Sequence, residues 1–138
     1  MAYFKYSSLG SRGVWRLVVF IAILFSLNTH SIAANGNDKL ETRCGWFWNP
    51  SPANMWLIDR DGEWTIGTMG GHQAEGEWNW PSFKEANWVN TNRTYGYGCA
   101  CFKLQVDKQS RDVLYIEKSW AKPLDACTSD PSIKTKPE

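Results

Sequence analysis

The sequence predicts a mostly β fold: a small antiparallel, sandwich-like sheet with two hairpins, at most one or two short helical turns, and two disulfides. Three observations lead to this prediction. Segments of β type recur between turn residues, and no stretch with helical periodicity reaches a useful length. All four cysteines lie outside the first 34 residues, which resemble an export signal. The remaining chain, about 104 residues, is long enough for only one hydrophobic core.

The first 34 residues have the three parts of a signal peptide. Residues 1–16 contain three basic side chains and no acidic one, and an apolar run follows over residues 17–27. This run is too short for a transmembrane helix, which needs roughly 20 residues, and it suits a signal-peptide core of roughly 7 to 15. Small residues at 31–34 favour cleavage after Ala33 or Ala34. We therefore expect a cleavable signal peptide over 1–34 and a soluble periplasmic or secreted product, with an uncleaved anchor as the alternative.

The charge of the mature chain limits its partners. After cleavage, 12 basic and 14 acidic residues remain, so the net charge is −2. A nucleic-acid-binding surface usually requires an excess of basic side chains. We expect no nucleic-acid partner, and no membrane partner once the leader has been removed.

The first predicted hairpin joins residues 55–60 to residues 63–67. Asp61-Gly62 separates two β-type runs, which is a strong signal for a two-residue type I′ turn. This turn places Asp59 opposite Trp64 and Leu57 opposite Ile66. Leu57, Trp64 and Ile66 then share the face that we expect to be buried.

The second predicted hairpin joins residues 95–106 to residues 113–118 through a polar loop. Alternation along its first strand places Phe102, Leu104 and Val106 on a core face and the cysteines on the opposite face. Residues 43–48 are a further candidate strand. Loops are expected over 49–52 and 70–81, and single helical turns over 82–87 and 123–127. The ordered domain is expected over 43–128, with flexible segments at 35–42 and 129–138.

The cysteines predict two disulfides. Cys44, Cys99, Cys101 and Cys127 are an even number in a short exported chain, which favours bridges over free thiols. Cys99 and Cys101 lie two residues apart on one strand face, so a bridge between them would be strained. Cys44 should pair with one of the two and Cys127 with the other, and the sequence leaves that choice open. A four-cysteine zinc site needs two close ligand pairs, which are missing.

Few residues of the mature chain are candidates for a catalytic role. His72 is the single histidine of the mature chain, and no free nucleophile is expected beside it. Asp59 with Asp61, and Glu75 with Glu77, are carboxylate pairs of the kind that glycoside hydrolysis uses, but such pairs are common in hairpin loops. We expect no catalytic residue, no metal and no cofactor.

The mature chain keeps eight of the nine tryptophans. Trp64 belongs to the predicted core of the first hairpin, and two others lie beside the cysteines. Trp78, Trp80 and Trp88 lie in segments that look like loops, so they either cover a small core or form an aromatic binding surface. Candidate binding residues are therefore Trp78, Trp80 and Trp88, together with His72, Gln73 and Glu75 of the adjacent Gly-rich segment.

Several separated motifs resemble one family of short exported bacterial proteins. They are Arg43-Cys44-Gly45-Trp46-Phe47, residues 56–64, residues 70–76, and Tyr95-Gly96-Tyr97-Gly98-Cys99-Ala100-Cys101. Together they are similar to domain-of-unknown-function family 4087 over about residues 43–127. The resemblance implies a bacterial, Gram-negative envelope setting. It implies no activity, ligand or catalytic residue.

These observations favour an exported, non-catalytic binding module of the bacterial envelope. Its sharpest form is an inhibitor- or immunity-type protein that binds an envelope-acting enzyme. One alternative is a protein that binds peptidoglycan or surface polysaccharide through exposed tryptophans. A second alternative is a small cell-wall hydrolase that uses Glu75 or Glu77.

Overall fold

The computed structural model describes residues 39–133 and 136–137, so the predicted signal peptide over 1–34 lies outside the described residues. The described chain contains six strands, a single 3-10 turn and one short helix. They are β1 (Glu41–Ser51), β2 (Asn54–Asp59), β3 (Gly62–Gly67), the 3-10 turn (Glu85–Asn87), β4 (Trp88–Asn92), β5 (Tyr95–Asp107), β6 (Asp112–Ala121) and α1 (Leu124–Thr128). The predicted mostly β fold with two hairpins and short helical turns is confirmed.

The six strands form one sheet that closes on itself. Their order is β1-β2-β3-β6-β5-β4, and β1 also pairs with β5, so five strands make a ring to which β4 is added. All pairings are antiparallel except a short parallel contact between β3 and β6, at Thr65 and Asp112. This ring has the connectivity of five-stranded Greek-key barrels of the OB type. The two layers of the predicted sandwich are thus parts of one continuous sheet.

The main core fills the ring. Alternation along β5 directs Phe102, Leu104 and Val106 inward, as predicted, and each is at most 1% exposed. Ala100 of β5 and the inward side chains of the other strands complete the cluster: Phe47, Leu57, Trp64, Ile66, Val113 and Ile116.

A second buried cluster lies on the outer face of the sheet. It contains Trp46, Ile58, Tyr97, Cys99 and Cys127, and partly buried side chains including Leu124 and Ile133 pack against it. Ile133, which lies in the segment over 129–138 that was predicted to be flexible, is thus packed against this cluster.

The first hairpin forms where predicted, but its predicted register is wrong by two residues. Asp59 lies opposite Gly62, and Leu57 lies opposite Trp64. The cause is the Asp59 carboxylate, because its Oδ1 accepts hydrogen bonds from the Asp61 backbone N–H at 2.8 Å and from the Trp64 indole at 3.0 Å. The turn therefore sits at residues 60–61, and only Gly62 takes a positive φ. An even shift preserves the faces, so the predicted core side chains remain buried.

Strand boundaries also differ from those predicted. β1 begins at Glu41, inside the segment 35–42 that was expected to be flexible, because Glu41 pairs with Leu104. β1 runs to Ser51, through the predicted loop over 49–52. Trp88, expected in a loop, begins strand β4, which pairs with the start of β5.

The two predicted disulfides are present, and the structure resolves their pairing. Cys44 bonds to Cys101, directly opposite on β5, and Cys99 bonds to Cys127 of α1. Two bridges in so small a domain are consistent with an oxidising environment outside the cytoplasm. Within the described residues, no helix has the length and apolar character needed to cross a membrane.

Candidate functional site

An open groove lies between the segment that precedes β4 and the start of β5. Its volume is about 710 Å³, within the usual range for small-molecule sites. Four aromatic side chains contribute to it, and Trp80 is 45% exposed. The lining residues are Asn49, Trp80, Pro81, Ser82, Phe83, Glu85, Trp88, Thr94 and Tyr95. We call this feature the Trp80 groove.

The buried Phe47 ring of β1 holds the aromatic rings of the groove in place. Trp80 packs against it in a T-shaped contact, with centroids 4.7 Å apart. Phe83 stacks on the same ring at 6.3 Å, and Trp88 packs on Phe83 at 4.9 Å. Such contacts contribute about 0.5–1.5 kcal/mol each beyond area burial, so the groove is built on rings that have fixed positions.

Trp78 lies behind the groove and supports Trp80. The two indoles are nearly parallel, with centroids 6.4 Å apart. Trp78 also contacts the core ring of Phe102 at 5.9 Å. On the other side of this segment, the Ser119 hydroxyl donates to the Asn79 carbonyl and ties it to β6. The segment that carries Trp80 is therefore anchored at several points.

Two glycines of β5 make room for the wall of the groove. A Cβ at Gly98 would lie 2.5 Å from Phe83 Cε1 and 2.8 Å from the Asn87 carbonyl oxygen. A Cβ at Gly96 would lie 1.9 Å from the Val89 carbonyl oxygen. Real Cβ atoms do not approach other atoms so closely, because the interior is already densely packed. The Tyr-Gly-Tyr-Gly motif therefore permits the close approach of Phe83 and β4 to β5.

Some polar groups of the groove are engaged and others are open. The Asn49 amide donates to the carbonyls of Ser51 at 2.8 Å and Asn54 at 2.7 Å, and the Trp88 indole donates to the Thr94 carbonyl at 3.2 Å. In contrast, among the described residues, no hydrogen bond or ion pair engages the polar side-chain groups of several other lining residues, including Ser82, Glu85 and Thr94. These side chains are therefore available to form hydrogen bonds with a ligand.

A second polar cluster surrounds Arg43. Its Nη1 donates to Asp59 Oδ2 at 2.6 Å and to Asp61 Oδ2 at 2.8 Å, and its Nε donates to Glu41 at 2.7 Å. Burial alone would lower the pKa of Arg43, but the hydrogen bonds to these carboxylates outweigh it and raise that pKa above its ordinary value. Asp59 and Asp61 are thus partners of a permanent cation rather than a free acid and base pair.

A family comparison agrees with the motif resemblance. A family model described as a protein of unknown function, DUF4087, matches residues 38–134. The chain belongs to the DUF4087 family. No curated protein and no solved structure shows significant similarity to it. The family description names no activity, so the function of this DUF4087 domain has to be argued from its geometry.

The DUF4087 domain brings together only some of the predicted site residues. Trp80 and Trp88 line the groove, and Trp78 supports it from behind. His72 and Gln73 instead hold the Gly-rich loop against neighbouring segments. The His72 Nε2 atom lies 2.8 Å from the Val113 carbonyl oxygen, and the Gln73 amide donates to the carbonyl of Thr68 at 2.9 Å.

Glu75 contacts β6 through its backbone. Its N–H donates to the Leu114 carbonyl, and its carbonyl accepts from Ile116, so it bridges to β6. Neither Glu75 nor Glu77 lines the groove. In the part of the chain that the structure describes, no three His, Cys, Asp or Glu side chains are grouped to hold a metal ion.

Sequence reasoning missed the remaining lining residues of the DUF4087 groove. Ser82 and Glu85 lie close to Trp80 and Trp88 in the chain, and that proximity was the available signal. Thr94 and Tyr95 lie beyond β4, and only the β4–β5 hairpin returns them to the groove. Without a prediction of β4, the sequence could not place them there.

Proposed function

We propose that this DUF4087 protein is an exported, non-catalytic binding module of the bacterial envelope that binds glycan through the Trp80 groove. The observation that carries the proposal is the 45% exposed indole of Trp80, held at an open groove by Phe47 and Trp78. Large aromatic side chains that stay exposed in a rigid setting are typical of binding surfaces.

The composition of the groove suits a sugar. The C–H face of a pyranose ring is apolar and can stack on an indole, while its hydroxyls need hydrogen-bond partners. The groove combines aromatic walls with the open hydroxyls of Ser82 and Thr94 and the carboxylate of Glu85. Ligand sites of this kind are mostly apolar, with a few polar groups that set orientation.

The proposed location depends on the leader and on the cysteines. The basic, apolar and small-residue parts of residues 1–34 follow the pattern of a cleavable signal peptide. Two disulfides agree with residence in the periplasm or outside the cell. Both features support export, and peptidoglycan or surface polysaccharide would then be within reach.

The absence of catalysis is part of the proposal. Arg43 engages Asp59 and Asp61, and the carboxylates of Glu75 and Glu77 lie outside the groove. Most glycoside hydrolases use a pair of carboxyl groups that flank the bond they cleave. Among the described residues that line the groove, only Glu85 contributes a carboxylate. Incubation of the pure protein with cell-wall substrates should therefore release no product.

Co-sedimentation tests the glycan proposal. The mature protein, residues 35–138, should sediment with purified sacculi or with insoluble surface polysaccharide. Trp80→Ala should weaken this binding about tenfold, as expected for loss of a central aromatic contact. Leu114→Ala is the matched control, because Leu114 is 44% exposed and lies outside the groove. Equal sedimentation of both variants and the wild type would contradict the proposal.

The inhibitor- or immunity-type function stays a prediction, and the same proteins test it. If neither glycan sediments the wild type, but a tagged mature protein enriches one envelope enzyme and Trp80→Ala abolishes that enrichment, the groove binds protein instead. That result would overturn the glycan proposal while leaving a non-catalytic binding module.

A further inference from the structure

The described residues that line the groove carry one charge, and that charge is negative. Among its nine lining residues, Glu85 is the single ionisable acid and no lysine, arginine or histidine is present. Glu85 belongs to none of the ion pairs formed within the described residues. Its side chain is exposed, at the first residue of the 3-10 turn. A ligand would therefore meet an unneutralised carboxylate.

The aromatic rings add to the same electrostatic preference. Trp80, Phe83, Trp88 and Tyr95 line the groove together with Glu85. The faces of such rings carry partial negative charge and attract cations, with about 0.5–1 kcal/mol per contact at exposed sites. A carboxylate beside several aromatic rings is the arrangement that favours an organic ammonium group and disfavors phosphate or uronic acid groups.

We infer that the Trp80 groove selects glycans with free amino groups, such as glucosamine units that lack the N-acetyl group. This inference rests on the proposed glycan-binding function and specifies its ligand class. The sugar ring stacks on Trp80, and its ammonium group pairs with Glu85. N-acetylation removes the positive charge, so acetylated sugars keep the stacking contact and lose the ion pair.

Binding of defined oligosaccharides tests the inference. Tetramers of glucosamine and of N-acetylglucosamine are titrated into the mature protein at low salt, with calorimetry or tryptophan fluorescence as the readout. The glucosamine tetramer should bind about threefold to tenfold more tightly, as an exposed ion pair and one cation–aromatic contact allow. Glu85→Gln should remove this preference of the protein for the glucosamine tetramer over the acetylated one. Glu77→Gln is the matched control, because it removes an equal charge outside the groove.

The outcomes separate this inference from the proposed function. If both tetramers bind equally, or if the preference persists in Glu85→Gln, the inference is overturned and glycan binding stands. If neither the tetramers nor the polysaccharides of the sedimentation assay bind, the proposed function fails, and the inference fails with it.

Free choline provides the cation without the sugar, and it should compete at least tenfold more weakly than the glucosamine tetramer. Equal competition would show a site for ammonium groups alone and overturn the selection of a glycan.

Discussion

Arg43 and Asp59 form a buried ion pair that links the first strand to the first hairpin. The Arg43 Nη1 atom lies 2.6 Å from Asp59 Oδ2, and their side chains are only 9% and 3% exposed. The other oxygen of Asp59 accepts from the Trp64 indole and from the hairpin turn. One carboxylate therefore fixes the hairpin register and joins it to β1.

Removing one partner of this pair should strongly destabilise the fold. Arg43→Met leaves the Asp59 carboxylate buried without its cation, and such losses typically cost about 3–5 kcal/mol. Urea unfolding, followed by tryptophan fluorescence, measures the change in free energy of unfolding. Lys103→Met is the control, since Lys103 pairs with Glu117 at the surface and should cost less than about 1 kcal/mol. Equal losses in the two variants would contradict a structural role for the buried pair.

The two indoles that lie near the hairpin should respond differently to loss of their N–H groups. Trp64 donates to Asp59 at 3.0 Å, and its ring lies 4.2 Å from the Arg43 guanidinium carbon and 4.6 Å from that of Arg111. Within the part of the chain that the structure describes, the buried indole N–H of Trp48 has no hydrogen-bond partner. Trp64→Phe should cost about 2–3 kcal/mol, and Trp48→Phe should change stability by less than about 1 kcal/mol in either direction.

Thermal or urea denaturation of the two variants measures this difference. The substitutions are chemically identical, so loss of ring size is common to both, and Trp64→Phe additionally loses the hydrogen bond to Asp59 and weakens the contacts with Arg43 and Arg111. A loss at Trp48 as large as that at Trp64 would show that ring size, rather than the hydrogen bond to Asp59, determines the cost.

The parts of the fold that could be predicted follow from local periodicity. Alternation along residues 102–106 was enough to assign the core face of β5, because a strand repeats every two residues. The hairpin register was not predictable, since it depends on which backbone N–H the Asp59 carboxylate captures. The disulfide pairing was not predictable either, because Cys99 and Cys101 share one face and only the position of β1 and α1 along β5 distinguishes them.

The candidate site was predictable only at its tryptophans. Trp80 and Trp88 were conspicuous because large apolar side chains in loop-like segments call for an explanation. The groove itself depends on the pairing of β4 with β5, and β4 is a short strand that lacks clear alternation. The polar residues of the groove could therefore not be predicted from the sequence. Nor could the sequence show that His72 and Glu75 lie away from the groove.

The glycines of β5 provide a test of how the groove is held. Gly98→Ala would place a Cβ against the ring of Phe83 and the backbone of Asn87, so the wall of the groove has to move outward. Overpacking of this kind typically costs about 1–3 kcal/mol. The fold should survive at reduced stability, and binding of the glycan that the wild type sediments with should weaken by more than the loss of folded protein explains.

Gly70→Ala separates this effect from ordinary backbone strain. Gly70 has a φ of +73°, and a Cβ there meets nothing within 4 Å, so alanine should cost about 1 kcal/mol through strain alone. Gly70 itself does not line the groove, and the tight turn that contains it, closed by a hydrogen bond from the Gly71 N–H to the Thr68 carbonyl, holds none of the lining residues. Circular dichroism melts give stability, and sedimentation gives binding for the same samples. Wild-type affinity in folded Gly98→Ala would mean that the position of Phe83 does not shape the binding site.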